Sequence, residues 1–267
     1  MNFAKHHFGC SFIRRIVTEM LELKSVSEIV EENHSTAYIL DCYGIEFYKC
    51  SDKLLGDICL KKGIDAQNLS HNLVAGSDKA PFDLRLLESY PADLVVEYLK
   101  HAHHIFLKKS LPFMRKLIEK LDETKYEFPD LIKDLKFVFP LFIEDFIHHI
   151  YEEEDGLFEY VNDLRKVQKG EIPQTKIFTR LEEICLEDLY HHHEDADDEM
   201  RGIRRITNNY TRGINTDLHL RTIYRELKDF EKELVFHANV ENEILFPKAL
   251  ELEREVRNNY KKTSFLN

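Results

Sequence analysis

The sequence is short of the residues that punctuate a chain, with nine glycines and seven prolines in 267 residues. No convincing run of alternating apolar and polar residues appears either. That scarcity argues against a sheet protein with its many turns and toward a nearly all-helical one. Cysteine is also scarce. The five, Cys10, Cys42, Cys50, Cys59 and Cys185, are odd in number and form no CxxC. A disulfide framework and a thiolate zinc site are therefore not expected. No apolar run approaches the roughly 20 residues needed to span a bilayer, so no membrane segment is expected. Positive charge is in deficit, 37 Lys and Arg against 49 Asp and Glu, for a net charge of −12. No basic cluster is long enough to follow a phosphate backbone, so nucleic acid is not an expected partner. The first stretch, MNFAKHHFGCSFIRRIVTEM, lacks the apolar core and small-residue cleavage site of a signal peptide. The expected localisation is cytoplasmic.

Histidine is the residue in excess, with 14 copies. It gathers in three clusters: His101/His103/His104, His148/His149 and His191/His192/His193.

The organisation reads as two domains. Short helical pieces fill residues 25–73, separated by Gly44 and Gly63, and SVSE at 25–28 fits a capping box with Ser25 as cap. GSDKAPFD at 76–83 is the turn-rich linker. Four amphipathic segments follow, over roughly 90–122, 130–167, 176–211 and 216–254. Pro112 is expected to kink or divide the first, and Pro140 lies near the start of the second. KVQKGEIPQT at 166–175 is a loop punctuated by Gly and Pro. The expectation is an all-α chain: a small helical domain at 1–75, a linker at 76–88, an antiparallel four-helix bundle at 89–255 and a frayed tail at 256–267.

Successive residues on a helix turn by about 100°, which sorts the histidines by face. On the second segment Phe139, Phe142, Phe146, Leu157 and Leu164 share an arc that includes His149 and Glu153. His148 and Glu152 fall outside it. On the fourth, Leu227, Phe230, Leu234 and Leu245 share a face with His237 and Glu241. On the third, Leu186, Leu189, Tyr190 and Met200 define a stripe with His193 near its centre and Asp197 on it, while His191 and His192 lie off it. The first segment is ambiguous: Val96, Leu99, Met114 and Leu117 centre nearer His103 than His104, but Pro112 disturbs the phase.

A lone inward histidine is ordinarily a hydrogen-bonded core residue, and a lone His/Glu pair four apart is ordinarily a weak surface contact. Here the HxxxE pair occurs twice on inward faces. Glutamate is almost never buried unless paired, and no Lys or Arg follows the same stripe to compensate it. A pair of cations does. Imidazole and carboxylate without thiolate suit iron, manganese or zinc, and helix bundles hold two irons in this way. Two irons sharing two carboxylates, with two histidines each, would use six ligands and leave room for an oxo bridge.

The chain resembles the hemerythrin-like proteins, and among them the di-iron iron–sulfur cluster repair family, also called repair of iron centres. The resemblance runs from about Lys24 to Glu253, through HHIFLKKSLPFM (103–114), HHIYEEEDGLF (148–158), HHEDADDEMRGIRRITNN (192–209) and HANVENEILFPKAL (237–250). It implies two non-haem irons held by His104, His149, Glu153, His193, His237 and Glu241. It places the first ligand at His104, whereas helical phase leans to His103. Glu153 and Glu241 would bridge, and Asp145 and Asp197 are candidate acids behind the ligands. Oxygen-carrying hemerythrins have two histidines on the third helix and an Asp ending the fourth site. This chain has His193 followed by Asp197, and Glu241.

Residues 25–65 are similar to the small ScdA-like domain that precedes the bundle in the repair family. That domain carries adjacent cysteines after a YGI-acid-F motif. Here YGIEF is followed by Tyr48, Lys49 and then Cys50, so the adjacent thiol pair is missing and Cys50 reads as a structural cysteine. The implied function is restoring iron–sulfur clusters or iron centres damaged by nitric oxide or oxidants. The implied partners are the damaged proteins, with nitric oxide or dioxygen as small ligands, and a homodimer stays open. The alternative is a hemerythrin-like oxygen or nitric oxide sensor or carrier.

Overall fold

The structure is a computed structural model that describes residues 20–75, 84–184, 186, 199–212 and 217–264. Among these residues every regular element is helical, and extended backbone pairs only in the isolated bridge between Ser25 and Leu54. The fold is an all-α helical bundle. None of the described helices is long and apolar enough to cross a membrane. The expectations placed on Cys10, Cys185, the 76–83 linker, the His191–His193 cluster and Asp197 lie outside the described residues.

The chain divides into two compact units. The first comprises Met1–Pro81 with Lys120–Pro129 and Tyr210–Lys228. It therefore draws in Tyr210–Lys228, most of which the sequence assigns to the fourth long segment, and Lys120–Pro129, most of which it places between the first two. One reason is aromatic packing: Tyr48 stacks on His219 with ring centroids 4.0 Å apart, and Phe47 meets the same imidazole edge-on. Short helices Val26–Glu32, Thr36–Cys42, Leu55–Lys62 and Ala66–Ala75 bury Val26, Leu40, Ile45, Phe47 and Leu69 completely. The capping box forms as expected. The Ser25 hydroxyl accepts from the Glu28 N–H at 3.2 Å, and the Glu28 carboxylate accepts from the Ser25 N–H at 2.7 Å. Gly44 and Gly63 take φ of 69° and 67°, and the next N–H in each case reaches back to close the helix: Ile45 to the Leu40 carbonyl, Ile64 to the Cys59 carbonyl, both at 2.9 Å. That left-handed turn is the one only glycine makes cheaply.

The second unit comprises Phe82–Glu119, Asp130–Asn209 and Asp229–Asn267. Its three long helices each contain one π-helical turn. Phe106–Ser110 joins Ala92–Ile105 to Leu111–Glu119, Glu154–Phe158 joins Pro129–Glu153 to Glu159–Gln168, and Glu241–Leu245 joins Leu218–Val240 to Phe246–Ser264. Pro112 does not divide its helix. A helical proline clashes with the carbonyl four residues earlier. For Pro112 and Pro247 those residues are Lys108 and Glu243, both inside π turns, where the backbone is already widened. The last helix continues through Val256, which is buried, to Ser264, so the expected tail is helical over that range.

Two apolar clusters build the core of this unit. One contains Val96, Leu99, Phe158, Val161, Val240 and Leu245. The other is aromatic: Phe106 lies 5.3 Å from Phe230 and 6.0 Å from Phe146, and Phe142 lies 5.8 Å from Phe146. The histidines and glutamates are set between them. His103 stacks on Phe158 at 5.5 Å, and His237 meets Phe106 edge-on at 5.8 Å.

Candidate metal centre

The site is built where the three π turns occur. His103 lies three residues before one, Glu153 immediately precedes the second, and Glu241 opens the third. A π turn inserts a residue into the helical repeat and re-aims the side chains around it, and such turns concentrate at functional sites. One donor atom from each of His103, Glu153, His237 and Glu241 lies within 4.8 Å of the others, and all four residues are buried. His103 Nε2 is 3.0 Å from His237 Nε2 and 3.2 Å from Glu153 Oε2. His237 Nε2 is 3.2 Å from Glu241 Oε1.

His103, and not the His104 implied by the resemblance, enters this cluster. His103 is 1% exposed and His104 faces solvent. Adjacent side chains diverge by about 100°, so only one of a tandem pair can turn inward. The same rule separates the second pair. His149 Nε2 lies 2.9 Å from Glu153 Oε1, while His148 and Glu152 form an exposed surface pair at 3.4 Å. His237 and Glu241 are both in the cluster. His193 lies outside the described residues. Asp145 is exposed, on the outer arc of its helix, and backs none of the candidate ligands among the described residues.

Two carboxylates were missed by the sequence reading. Glu154 Oε1 is 2.8 Å from His103 Nδ1, and Glu199 Oε1 is 3.6 Å from His149 Nε2. A regular helix would carry Glu154 about 100° away from Glu153. The π turn that begins at Glu154 lets both neighbours reach one imidazole. The proline pattern was the available signal, since LP and FP follow two of the three π turns by one residue.

The electrostatics follow from the crowd of carboxylates. Burial pushes the His149 imidazole toward a lower pKa, but the hydrogen bond and charge of Glu153, with Glu199 and Glu241 adding, outweigh it and raise it to about 9. A cavity of about 180 Å³ reaches the cluster, bordered by Phe146, His149, Glu199, Arg204 and Leu234. That is room for several waters or a small ligand. Arg204 on its border is engaged by Glu231.

The donor set fits a metal. Donors on one ion sit about 2.0–2.2 Å from it, so opposite donors lie up to about 4.4 Å apart. The four-residue group needs a contraction of only a few tenths of an ångström. The two oxygens of Glu153 face two different histidines, His103 and His149, which is how a carboxylate is placed to bridge two positions.

No protein-family model matches the chain. Curated relatives do. An iron–sulfur cluster repair protein YtfE of Dickeya chrysanthemi is 24% identical over 67% of this chain and 82% of its own length. The YtfE of Musicola paradisiaca is 21% identical over 85% of the chain and 96% of its length, and that of Yersinia pseudotuberculosis 23% over 61% and 68%. The chain resembles iron–sulfur cluster repair proteins.

In the first unit, Cys42 is exposed, Cys50 half-buried and Cys59 buried. The Cys50 thiol donates to the Glu46 carbonyl at 3.4 Å, and burial raises its pKa. This is a packed thiol in the protonated form, not a thiolate poised for exchange.

Proposed function

We propose that this protein holds two irons between the helices of its second unit and works in the repair of iron–sulfur clusters or iron centres damaged by nitric oxide or oxidants. The observation that carries the reading is the buried, contiguous group His103, Glu153, His237 and Glu241, with His149 sharing Glu153. The repair proteins named above support the role. Four of the six proposed ligands form this group, His149 is the fifth, and His193 is proposed as the sixth by helical phase and resemblance. Bound iron would supply the redox chemistry and a binding point for nitric oxide or dioxygen.

The chain's own residues do the rest. Histidines would anchor the irons, and the two glutamates would offset part of their charge, which lowers the cost of holding them in an apolar shell. Phe106, Phe146 and Phe158 keep bulk water from the ligands. The cavity beside His149 and Glu199 is the opening through which a small ligand would reach the centre. Damaged iron–sulfur proteins are the proposed partners, with the first unit as the surface that engages them, in the cytoplasm.

Oxygen or nitric oxide sensing is the second reading. It is favoured by Tyr48, which stands in the place of a thiol and is stacked on His219. The test is direct. Protein purified anaerobically from iron-replete cells should carry close to two irons per chain, absorb in the near ultraviolet after oxidation, and reactivate an iron–sulfur enzyme inactivated by nitric oxide. Absent metal, or one tightly held zinc, sinks the di-iron reading. Reversible gas binding without reactivation selects sensing.

A further inference from the structure

We propose that Glu154 is a positioning residue that fixes which nitrogen of His103 faces the metal. The inference rests on the metal-centre reading above but concerns a side chain outside the proposed ligand set. Glu154 Oε1 lies 2.8 Å from His103 Nδ1, while Nε2 of the same ring lies 3.2 Å from Glu153 Oε2 and 3.0 Å from His237 Nε2. One imidazole is thus held at both nitrogens by consecutive glutamates. An ionised carboxylate only accepts hydrogen bonds. The nitrogen beside Glu154 must therefore carry a proton, and Nε2, which faces Glu153 and His237, is the nitrogen left for a metal to take. A ligand histidine needs a lone pair on that nitrogen, and its other N–H is commonly anchored by a carboxylate.

Three features make the arrangement specific. The ring cannot easily turn over, because it is 1% exposed and stacked on Phe158 at 5.5 Å and 14°. Glu154 is 30% exposed, so its charge stays partly solvated and it is not itself part of the buried group. The π turn Glu154–Phe158 starts at this residue and supplies the bend that brings it to His103. Glu154 also explains why the inward member of the tandem pair is His103: that ring has an anchor ready for its outer nitrogen.

The experiment uses full-length protein in wild-type, Glu154→Leu and Glu154→Gln forms. Gln keeps an oxygen acceptor at the same reach without the charge; Leu removes the acceptor and fills the space. In metal-free, ¹⁵N-histidine-labelled protein, long-range ¹H–¹⁵N spectra report the tautomer, with the His103 signals identified by their loss in His103→Gln. Wild type should show Nδ1 protonated. Glu154→Leu should shift toward the Nε2-protonated form and weaken iron(II) or cobalt(II) binding about 10- to 100-fold. Glu154→Gln should retain the wild-type tautomer and most of the affinity. A wild-type tautomer in Glu154→Leu overturns the proposal, as does an altered tautomer with undiminished affinity. If Glu154→Leu loses its helical circular dichroism, Glu154→Ala takes its place, and a wild-type tautomer in that folded variant overturns the proposal. Wild-type protein that binds no metal would sink the metal-centre reading instead, and the tautomer measurement on metal-free protein separates the two failures.

Discussion

His103 Nε2 sits 3.0 Å from His237 Nε2, across 134 positions of sequence. Two basic nitrogens held that close in an apolar shell need a proton or a cation between them. The contact identifies which histidine of the first cluster is inward. His103→Ala should lower iron content sharply, while His104→Ala should leave it near wild type. Metal analysis of the purified variants checks this, and equal losses would show that the facial assignment is wrong.

The second tandem pair gives an independent comparison. His149 lies 2.9 Å from Glu153, whereas His148 is 74% exposed. His149→Ala should reduce iron content and near-ultraviolet absorption together. His148→Ala should change neither, and its stability should move by less than about 0.5 kcal/mol, as expected for an exposed pair.

Much of this was legible in the sequence, for a physical reason. Inward carboxylates are costly, so Glu153 and Glu241 on apolar stripes were informative. Helical phase alone placed His149, Glu153, His237 and Glu241, and it favoured His103. The family resemblance favoured His104 because it carried no information about side-chain direction. The contributions of Glu154 and Glu199 were not legible. Both depend on departures from the 3.6-residue repeat or on a contact between helices far apart in sequence. The recruitment of Tyr210–Lys228 to the first unit was hidden for the same reason: nothing in the order of residues pairs Tyr48 with His219.

Two glycines should respond oppositely to alanine. Gly63 has φ of 67°, so Gly63→Ala should cost about 1–2 kcal/mol. Gly202 sits in the Arg201–Thr207 helix with ordinary φ and open space around its added Cβ, so Gly202→Ala should stabilise by up to about 1 kcal/mol. Urea unfolding monitored by circular dichroism measures both, and a loss at Gly202 would contradict the described geometry.

Asp93 supplies an acid-sensitive contact. Burial alone would raise its pKa, but Lys169 at 2.7 Å and then Arg165 at 3.2 Å outweigh it and hold the carboxyl below its usual range. A depressed folded pKa means stability that is present above the unfolded value near 3.9 and lost as pH falls through the folded one. Asp93→Asn should therefore lower stability at pH 7 by a few tenths to about 1 kcal/mol, since the pair is partly solvated. The difference from wild type should shrink as pH falls below about 4. A gap of equal size at pH 7 and pH 3 would exclude the charge mechanism.

The last prediction separates the two units. Every described residue of the proposed centre belongs to the second unit. A chain beginning near Phe82 should therefore fold as a helical protein and retain iron. It should not be indifferent to the deletion, because His219 loses Tyr48 and Phe47, and the start of the Leu218–Val240 helix loses part of its packing. Hydrogen exchange should rise over residues 218–228 and stay unchanged near His237. Cys50→Ser in the full chain should keep both iron and exchange pattern, because its thiol donates only to a local carbonyl. Repair activity should fall in the truncated chain, where the surface proposed to engage damaged clusters is gone. A truncated chain with native-like helicity and no iron would mean that the first unit contributes a ligand or holds the bundle in its binding form.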